Sequence, residues 1–359
     1  MPFHLSHHGR GTTQSPPNRF EKHAVISDDS AWEEIRKVDP DFEPKRPRTE
    51  SLEDHSQSII TSNRSPDIGF SHSLNPYRGC EHGCAYCYAR PYHEYLGMNA
   101  GIDFETRIMV KSQAPRLLEE SLAKLSWKPV SLACSGVTDC YQPIEKTLKI
   151  TRDCLEVLAD FRNPVGIITK NALVTRDIDL LSALAGYDAS LVVVSITSLD
   201  TQLAGKLEPR ASRPAARLDA IRQLSEAGIP AGVSLAPIIP GLNDHEIPAI
   251  LQAAADHGAS FASGTLLRLP YSVSDIFSSW LDEYFPERKD LVLGRIRELR
   301  GGRLNDSNFG SRMSGSGPLA SQIQQMLQVS KRRFGLDSPR KSLNTDAFIR
   351  RSPGQLELF

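Results

Sequence analysis

The sequence predicts an α/β protein built on an open, six-strand parallel barrel. Two observations carry that expectation. Between about residues 68 and 270, short apolar runs alternate with amphipathic segments at intervals of roughly 25–35 residues, the rhythm of strand–helix–strand crossovers. Six such runs are too few to close an eight-strand barrel but enough for an open one, with ligands expected at the C-terminal ends of the strands.

Residues 1–60 read as an extended or disordered arm. The segment from Gly9 to Phe20 and the stretch from Pro40 to Arg48 hold turn residues with almost no apolar period. Such segments bury too little apolar surface to offset their ordering entropy. An arm wrapped on the core near the active site is the alternative. The barrel is assigned to residues 61–274. One strand precedes Cys80, and Val130–Ala133, Val165–Thr169, Leu191–Ile196, Ala231–Ala236 and Thr265–Leu269 have the continuous apolar character of buried parallel strands. Leu148, Cys154, Leu155 and Leu158 mark one intervening helix face; Leu218, Ile221 and Leu224 mark another. Gly228 and Pro230 end the second of these helices. Residues 275–335 read as a helical extension, with Trp280, Leu281 and Tyr284 packing on the barrel. Residues 336–359 read as a flexible basic tail, since the chain from Lys331 onward has seven Lys/Arg against three Asp/Glu.

Composition narrows the function classes. Hydrophobic residues at 40% and charged residues at 24% describe an ordinary globular chain, not a fibrous or wholly disordered one. With 42 Lys plus Arg against 43 Asp plus Glu, the net charge of −1 excludes an overall basic nucleic-acid binder, so any such surface must be local. No apolar stretch reaches membrane-spanning length, and the His-rich start lacks a signal-peptide core, which points to the cytoplasm and to no membrane partner. Six cysteines in a reducing compartment read as metal or redox chemistry.

The chemistry concentrates in Cys80-Glu81-His82-Gly83-Cys84-Ala85-Tyr86-Cys87-Tyr88. Three thiols on a short glycine-containing loop can wrap one small inorganic object, and cysteine thiolates are the usual ligands of iron–sulfur clusters. A four-iron cube held by three cysteines leaves one iron open, as a catalytic zinc keeps one open position. Two alternatives stand beside it: a structural zinc completed by His82 or His93, and a Cys84–Cys87 redox pair.

The C-x3-C-x2-C spacing, with an aromatic residue before the last cysteine, resembles the radical S-adenosylmethionine (SAM) superfamily. The resemblance implies a [4Fe–4S] cluster on Cys80, Cys84 and Cys87 whose open iron binds SAM. It also implies an electron donor such as flavodoxin or ferredoxin, and a 5′-deoxyadenosyl radical that abstracts hydrogen from substrate. Further motifs resemble its spore photoproduct lyase branch: Asn75-Pro76-Tyr77-Arg78-Gly79-Cys80, Thr138-Asp139 with Tyr141-Gln142-Pro143, and Ile168-Thr169-Lys170. Gly9 to Phe20, Glu208-Pro209-Arg210, Pro237 to Glu246 and Phe309-Gly310-Ser311-Arg312-Met313 look like a bacterial family often labelled DNA repair photolyase. The likeness covers about residues 9–335.

That resemblance implies SAM contacts at Thr138, Lys170 and Ser195, with Asp139 binding a ribose hydroxyl or orienting substrate. Lysine is a point charge suited to a carboxylate, and hydroxyls both donate and accept. Helix or backbone capping is the plain alternative for Thr138, Asp139 and Ser195. Arg210, Arg213 and Arg217 could hold a phosphate or line a solvated helix face. The lyase's hydrogen-returning cysteine falls at Gly136 here, so Cys134 and Cys140 are the candidate displaced donors, against a plain role as small buried side chains. Thymine-dimer reversal is therefore not carried over. Cys154 reads as core.

The chain finishes Gln355-Leu356-Glu357-Leu358-Phe359, which resembles the short peptides that dock bacterial DNA polymerases and repair proteins on the replication sliding clamp. Gln355, Leu356, Leu358 and Phe359 are the anchors this implies. The sequence thus points to a radical SAM enzyme acting on nucleic acid, DNA above all. Its rivals are a radical SAM enzyme with a small-molecule or protein substrate and a metal-stabilised, non-enzymatic adaptor on the clamp.

Overall fold

The computed structural model describes residues 9–21, 34, 37–38, 47–339 and 341–351. Its ten strands are β1 (Glu50–Glu53), β2 (Ile60–Ser62), β3 (His72–Leu74), β4 (Tyr77–Arg78), β5 (Arg107–Val110), β6 (Leu132–Cys134), β7 (Val165–Thr169), β8 (Ser190–Ser195), β9 (Ala231–Ile238) and β10 (Phe261–Leu266). Seven form one sheet in the order β10-β9-β8-β7-β6-β3-β2. Its six strands from β3 to β10 are mutually parallel, and β2 adds an antiparallel edge. This is the α/β open barrel that the rhythm of apolar runs predicts. β1, β5 and β4 make a small separate sheet, and β4 feeds directly into Cys80.

The central strands form where the sequence is apolar on both faces. Val-Gly-Ile-Ile-Thr of β7 and Ser-Leu-Val-Val-Val-Ser of β8 are almost wholly buried. β10 begins four residues before the expected Thr265, because its middle carries Ser263 and Gly264, one on each face, which an apolar-run criterion passes over. Leu267 and Leu269, expected in that strand, instead join a second core with the C-terminal helices.

Helices α1 (Ala114–Ala123), α2 (Ile150–Phe161), α3 (Ile178–Ala185), α4 (Thr201–Leu207), α5 (Pro214–Glu226) and α6 (Ile247–Asp256) follow the strands. In α2, Cys154, Leu155 and Leu158 face the core as expected, but Leu148 does not. Lys149 breaks the pattern with a left-handed φ of 58° and leaves Leu148 exposed in the preceding turn. α5 ends at Gly228, whose φ of +76° lets the Ile229 N–H reach back to the Leu224 carbonyl at 3.0 Å.

Helices α7 (Val273–Tyr284) and α8 (Lys289–Leu299) pack Trp280, Leu281, Leu293 and Ile296 against Cys84, Ala85 and Tyr86, roofing the cysteine loop. α9 (Pro318–Arg333) lies on α6. Residues 341–351 then run under the barrel. Leu343 packs with Leu191, Val193 and Phe261, and the Asn344 and Ile349 N–H groups each reach carbonyls, those of Asp188 and Phe161, at 2.9 Å. The described part of the tail thus closes the N-terminal end of the barrel and leaves the chemistry to the other end.

Of the N-terminal arm, residues 10–18 lie along the cysteine loop. Arg10 donates to the Glu105 carbonyl at 2.8 Å, and the Gln14 carbonyl accepts from Ile102 at 3.1 Å. Asn18 donates to the Glu94 carbonyl at 2.8 Å. Among the described residues no helix is long and apolar enough to cross a membrane.

Candidate active site

The cysteine loop sits at the C-terminal end of the barrel strands, pinned by its backbone. The Cys80 N–H donates to Phe104 and that of Ala85 to Leu207, at 2.9 and 3.1 Å. The Glu81 N–H donates to the Gln142 side chain at 2.9 Å. Arg90 is completely buried. Its Nε donates to the Cys84 carbonyl at 3.0 Å, and Nη1 reaches the Ala100 and Gly101 carbonyls at 3.2 and 3.0 Å. Nη2 pairs with Glu105 at 2.5 Å. The same Glu105 accepts the Gly11 N–H at 2.9 Å, so one buried ion pair ties the loop, the 100–101 turn and the arm together. Burial raises the Glu105 carboxyl above its ordinary value against the pull of Arg90.

Gly11 and Gly83 meet backbone to backbone. A Cβ on Gly11 would fall 1.4 Å from the Gly83 carbonyl oxygen, and one on Gly83 would meet Glu105 at 2.5 Å. The arm fits only because both positions lack a side chain.

A second set of contacts ties the loop to the strands. His82 is buried, with Nδ1 3.4 Å from Asp139 and Nε2 3.3 Å from the Asn171 amide. Asp139 also accepts from the Tyr141 and Lys170 N–H groups and the Thr169 hydroxyl, each within 2.9 Å. Burial opposes its charge, but His82 and these donors outweigh that and hold its pKa near about 2. Thr138 donates to the Gly79 carbonyl at 2.6 Å and accepts from Gln142 at 3.1 Å.

A third set surrounds Glu208, which accepts from the Tyr86 hydroxyl and from Thr197 and pairs with Arg217. Burial works against its charge, yet Arg217, then Lys170, bring its pKa down to about 2. Arg217 is fully buried and also donates to the Ser195 and Ser212 carbonyls at 2.9 and 2.7 Å. It is neither a phosphate ligand nor part of a solvated face. Arg210 pairs with Glu81 at 3.1 Å.

The structure brings several of the expected residues together. Cys80, Cys84 and Cys87 are unpaired and share the loop. Lys170, at the end of β7, reaches across to the Ala236 carbonyl of β9 at 3.2 Å, beside the Tyr86 ring. Ser195 ends β8 on the same inward parity as Leu191 and Val193. Thr138 and Asp139 are nearby, with their polar atoms engaged in holding the loop. Cys134 and Cys140 are not brought to this end. Both lie with Cys154 in the core between sheet and helices, where the Cys140 thiol donates to the Cys134 carbonyl at 3.6 Å. Gln355, Leu356, Leu358 and Phe359 lie outside the described residues.

The donor set fits an iron–sulfur cluster. Cys80 and Cys87 both act on Cys84, and Cys80 on Cys87, so the three unpaired sulfurs lie within electrostatic reach of one another; burial, first, raises the Cys84 and Cys87 thiols, Cys87 to about 11, against the pull of Lys170 and Arg90. No three His, Cys, Asp or Glu side chains among the described residues converge as a single metal ion requires. Both ring nitrogens of His82 have protein partners, Asp139 and Asn171, that hold it toward the strands.

An open parallel barrel with three unpaired thiols at its C-terminal mouth defines the class of protein. The radical SAM superfamily matches residues 74–254, half of the chain, and the chain belongs to that superfamily. Membership implies a [4Fe–4S] cluster and SAM. An uncharacterized protein of Mycobacterium tuberculosis is 34% identical over 234 residues, 65% of this chain and 68% of that protein. Another, of Methanocaldococcus jannaschii, is 30% identical over 224 residues, covering 62% and 80%. Spore photoproduct lyase complexed with dinucleoside spore photoproduct shares the fold, with a TM-score of 0.57 over 79% of this chain and 78% of that one, at 16% identity. A lyase mutant with bound AdoMet and the same dinucleoside superposes with a TM-score of 0.56 at 16% identity, over 79% of each chain.

Sequence reading missed Arg90, Glu105 and Gly11 as the supports of the loop. The one available signal was the Arg-Pro pair three residues beyond Cys87.

Proposed function

We propose that this chain holds a [4Fe–4S] cluster on Cys80, Cys84 and Cys87, binds SAM against Lys170 and Ser195, and acts on nucleic acid, with DNA as the substrate. When bound, the cluster and SAM together supply a 5′-deoxyadenosyl radical, at the expense of one electron from a reductant such as flavodoxin or ferredoxin. The observation that carries this reading is the position of Lys170. Its ammonium crosses the barrel mouth beside Tyr86, and it bears electrostatically on both Cys84 and Glu208.

Each residue then has a physical task. Lys170 offers a point charge to the SAM carboxylate. Ser195 presents a hydroxyl from the inward face of β8. Thr138, Gln142 and the His82–Asp139 pair fix the loop to β6 and β7, and Arg90 fixes it from behind. Trp280 and its neighbours on α7 and α8 keep water from the loop's outer side, as radical chemistry requires. Cys134 and Cys140 receive no catalytic task, because the sheet stands between them and the mouth. The DNA reading is supported by the likeness to the lyase branch and by the tail segment Gln355-Leu356-Glu357-Leu358-Phe359, for which we propose docking on the replication clamp. A labile cluster and six unpaired cysteines suit the cytoplasm.

Lys170→Met tests the assignment. Loss of one charged hydrogen bond is worth roughly 1.5–3 kcal/mol, so SAM affinity should fall about 10- to 100-fold while iron content holds. Unchanged SAM affinity contradicts the assignment.

A further inference from the structure

Exposed aromatic side chains are concentrated in one place. Seven lie at the surface of the described residues, and all but Tyr187 stand around the mouth of the barrel. Three of them form a row, and a fourth stands near its end. Phe20, on the arm, packs against Tyr95 with ring centroids 4.9 Å apart, and Tyr95 lies 6.4 Å from Tyr92. The Arg90–Leu96 turn is a 3-10 helix, in which residues three apart share a face, so Tyr92 and Tyr95 point the same way. Tyr88, directly after Cys87, lies within electrostatic reach of Tyr92, its hydroxyl fixed to the Gly136 carbonyl at 2.5 Å. These rings are 47–66% exposed.

Arginines punctuate the row. Arg19 lies over the Phe20, Tyr95 and Tyr271 rings, at 4.8, 5.4 and 3.9 Å, and is neutralised by Glu94 at 2.6 Å. Arg268, beyond the end of β10, stands over Tyr88 at 6.0 Å. Its situation is unusual. Among the described residues no carboxylate pairs with it, its buried Nε has no hydrogen-bond partner, and Nη1 reaches only the Met313 sulfur at 3.6 Å. Arg312 and Arg300 lie close enough to add positive charge at the same spot. Arg312 is matched by Asp67, whereas Arg268 is left with a free charge and an unsatisfied donor. A buried donor of this kind costs free energy unless a ligand completes it.

We infer that this row is a binding track for single-stranded DNA, in which unpaired bases stack on Phe20, Tyr95, Tyr92 and Tyr88 while Arg268 takes a backbone phosphate. The track rests on the nucleic-acid reading above and deepens it. Rings left half-exposed in this way offer bases a stacking surface, arginines on some faces notwithstanding; only bases out of a duplex can use it, and every base has a face to stack. Arginine supplies the paired donors a phosphate accepts. The track ends at Tyr88, so a strand lying on it brings one nucleotide to the residue following Cys87. It also gives the arm a second task, since Phe20 and Arg19 form its outer end.

The test is fluorescence anisotropy of a short labelled oligothymidylate with the cluster-loaded protein under anaerobic conditions. The parent should bind the single strand more tightly than a matched duplex. Tyr92→Ala and Tyr95→Ala should each weaken binding about fivefold or more, and Tyr92→Phe should restore it. Arg268→Gln should weaken binding and lower the salt slope by about one phosphate contact. Tyr187→Ala, at the opposite end of the barrel, should change nothing. If the parent binds the single strand and the tyrosine and arginine variants bind equally well, the track is wrong while the nucleic-acid reading survives. Preference for the duplex, or tighter binding of the matched RNA, also overturns the track. If the parent binds no nucleic acid, the functional reading falls, and the track with it.

Discussion

Replacing Glu105 by glutamine removes one buried negative charge and leaves Arg90 in place. Both side chains are fully buried, so water cannot compensate the guanidinium. Arg90 would keep its bonds to the Cys84, Ala100 and Gly101 carbonyls but lose its only carboxylate partner among the described residues. Breaking a buried pair in this way costs about 3–5 kcal/mol. For 359 residues at about 2.1 cal/mol/K each, the unfolding entropy is near 0.75 kcal/mol/K, so Tm should fall by about 4–7 °C. Differential scanning fluorimetry of the metal-free protein measures this, and iron content after anaerobic reconstitution reports the loop. The double variant Arg90→Met/Glu105→Leu sharpens the test. Removing both charges should recover much of the lost Tm, because no unpaired charge remains. Iron content should stay low, because the Cys84 carbonyl has lost its donor. A Glu105→Gln protein that unfolds within about 1 °C of the parent and takes up full iron would refute the reasoning.

Three further predictions concern the arm, Glu208 and the tail. Gly11→Ala places a methyl group where the Gly83 carbonyl stands, so the arm should detach: proteolysis between residues 9 and 21 should accelerate and iron content should drop. A parent-like digestion pattern would mean the arm is held elsewhere. Glu208 has a folded pKa near 2, below its ordinary value of 4.5, so its contribution is present above about pH 4.5 and is lost as pH falls toward 2. Urea midpoints of the parent should therefore decline more steeply with acid than those of Glu208→Gln; parallel curves would remove Glu208 from the account. Leu358→Ala combined with Phe359→Ala should abolish calorimetric binding to a bacterial replication clamp, and undiminished binding by the variant would sink the docking proposal.

The barrel was legible in the sequence because its central strands are apolar on both faces, and β7 lies where the run Val165–Thr169 places it. Legibility failed where small or polar residues interrupt a strand's apolar run. Ser263 and Gly264 line β10, so its start was placed late. The thiols were legible from spacing alone. Their supports were not, because an arginine buried in a loop reads in one dimension as a surface charge, and only the fold shows that Arg90 and Arg217 are enclosed. Cys134 was misdirected for a related reason. Strand alternation places it with Gly136 on one side, but the strand ends at Cys134, and the next residues turn through positive φ at Ser135 and Gly136. The parity argument therefore stops before it reaches the mouth.

The most direct test of the central claim is electron paramagnetic resonance of the reconstituted, dithionite-reduced protein with and without SAM, paired with an assay for 5′-deoxyadenosine. The account predicts a reduced-cluster signal that shifts when SAM is added, with deoxyadenosine formed by the parent and absent in Cys84→Ala. A colourless protein that retains stoichiometric zinc, gives no signal and forms no deoxyadenosine would contradict it.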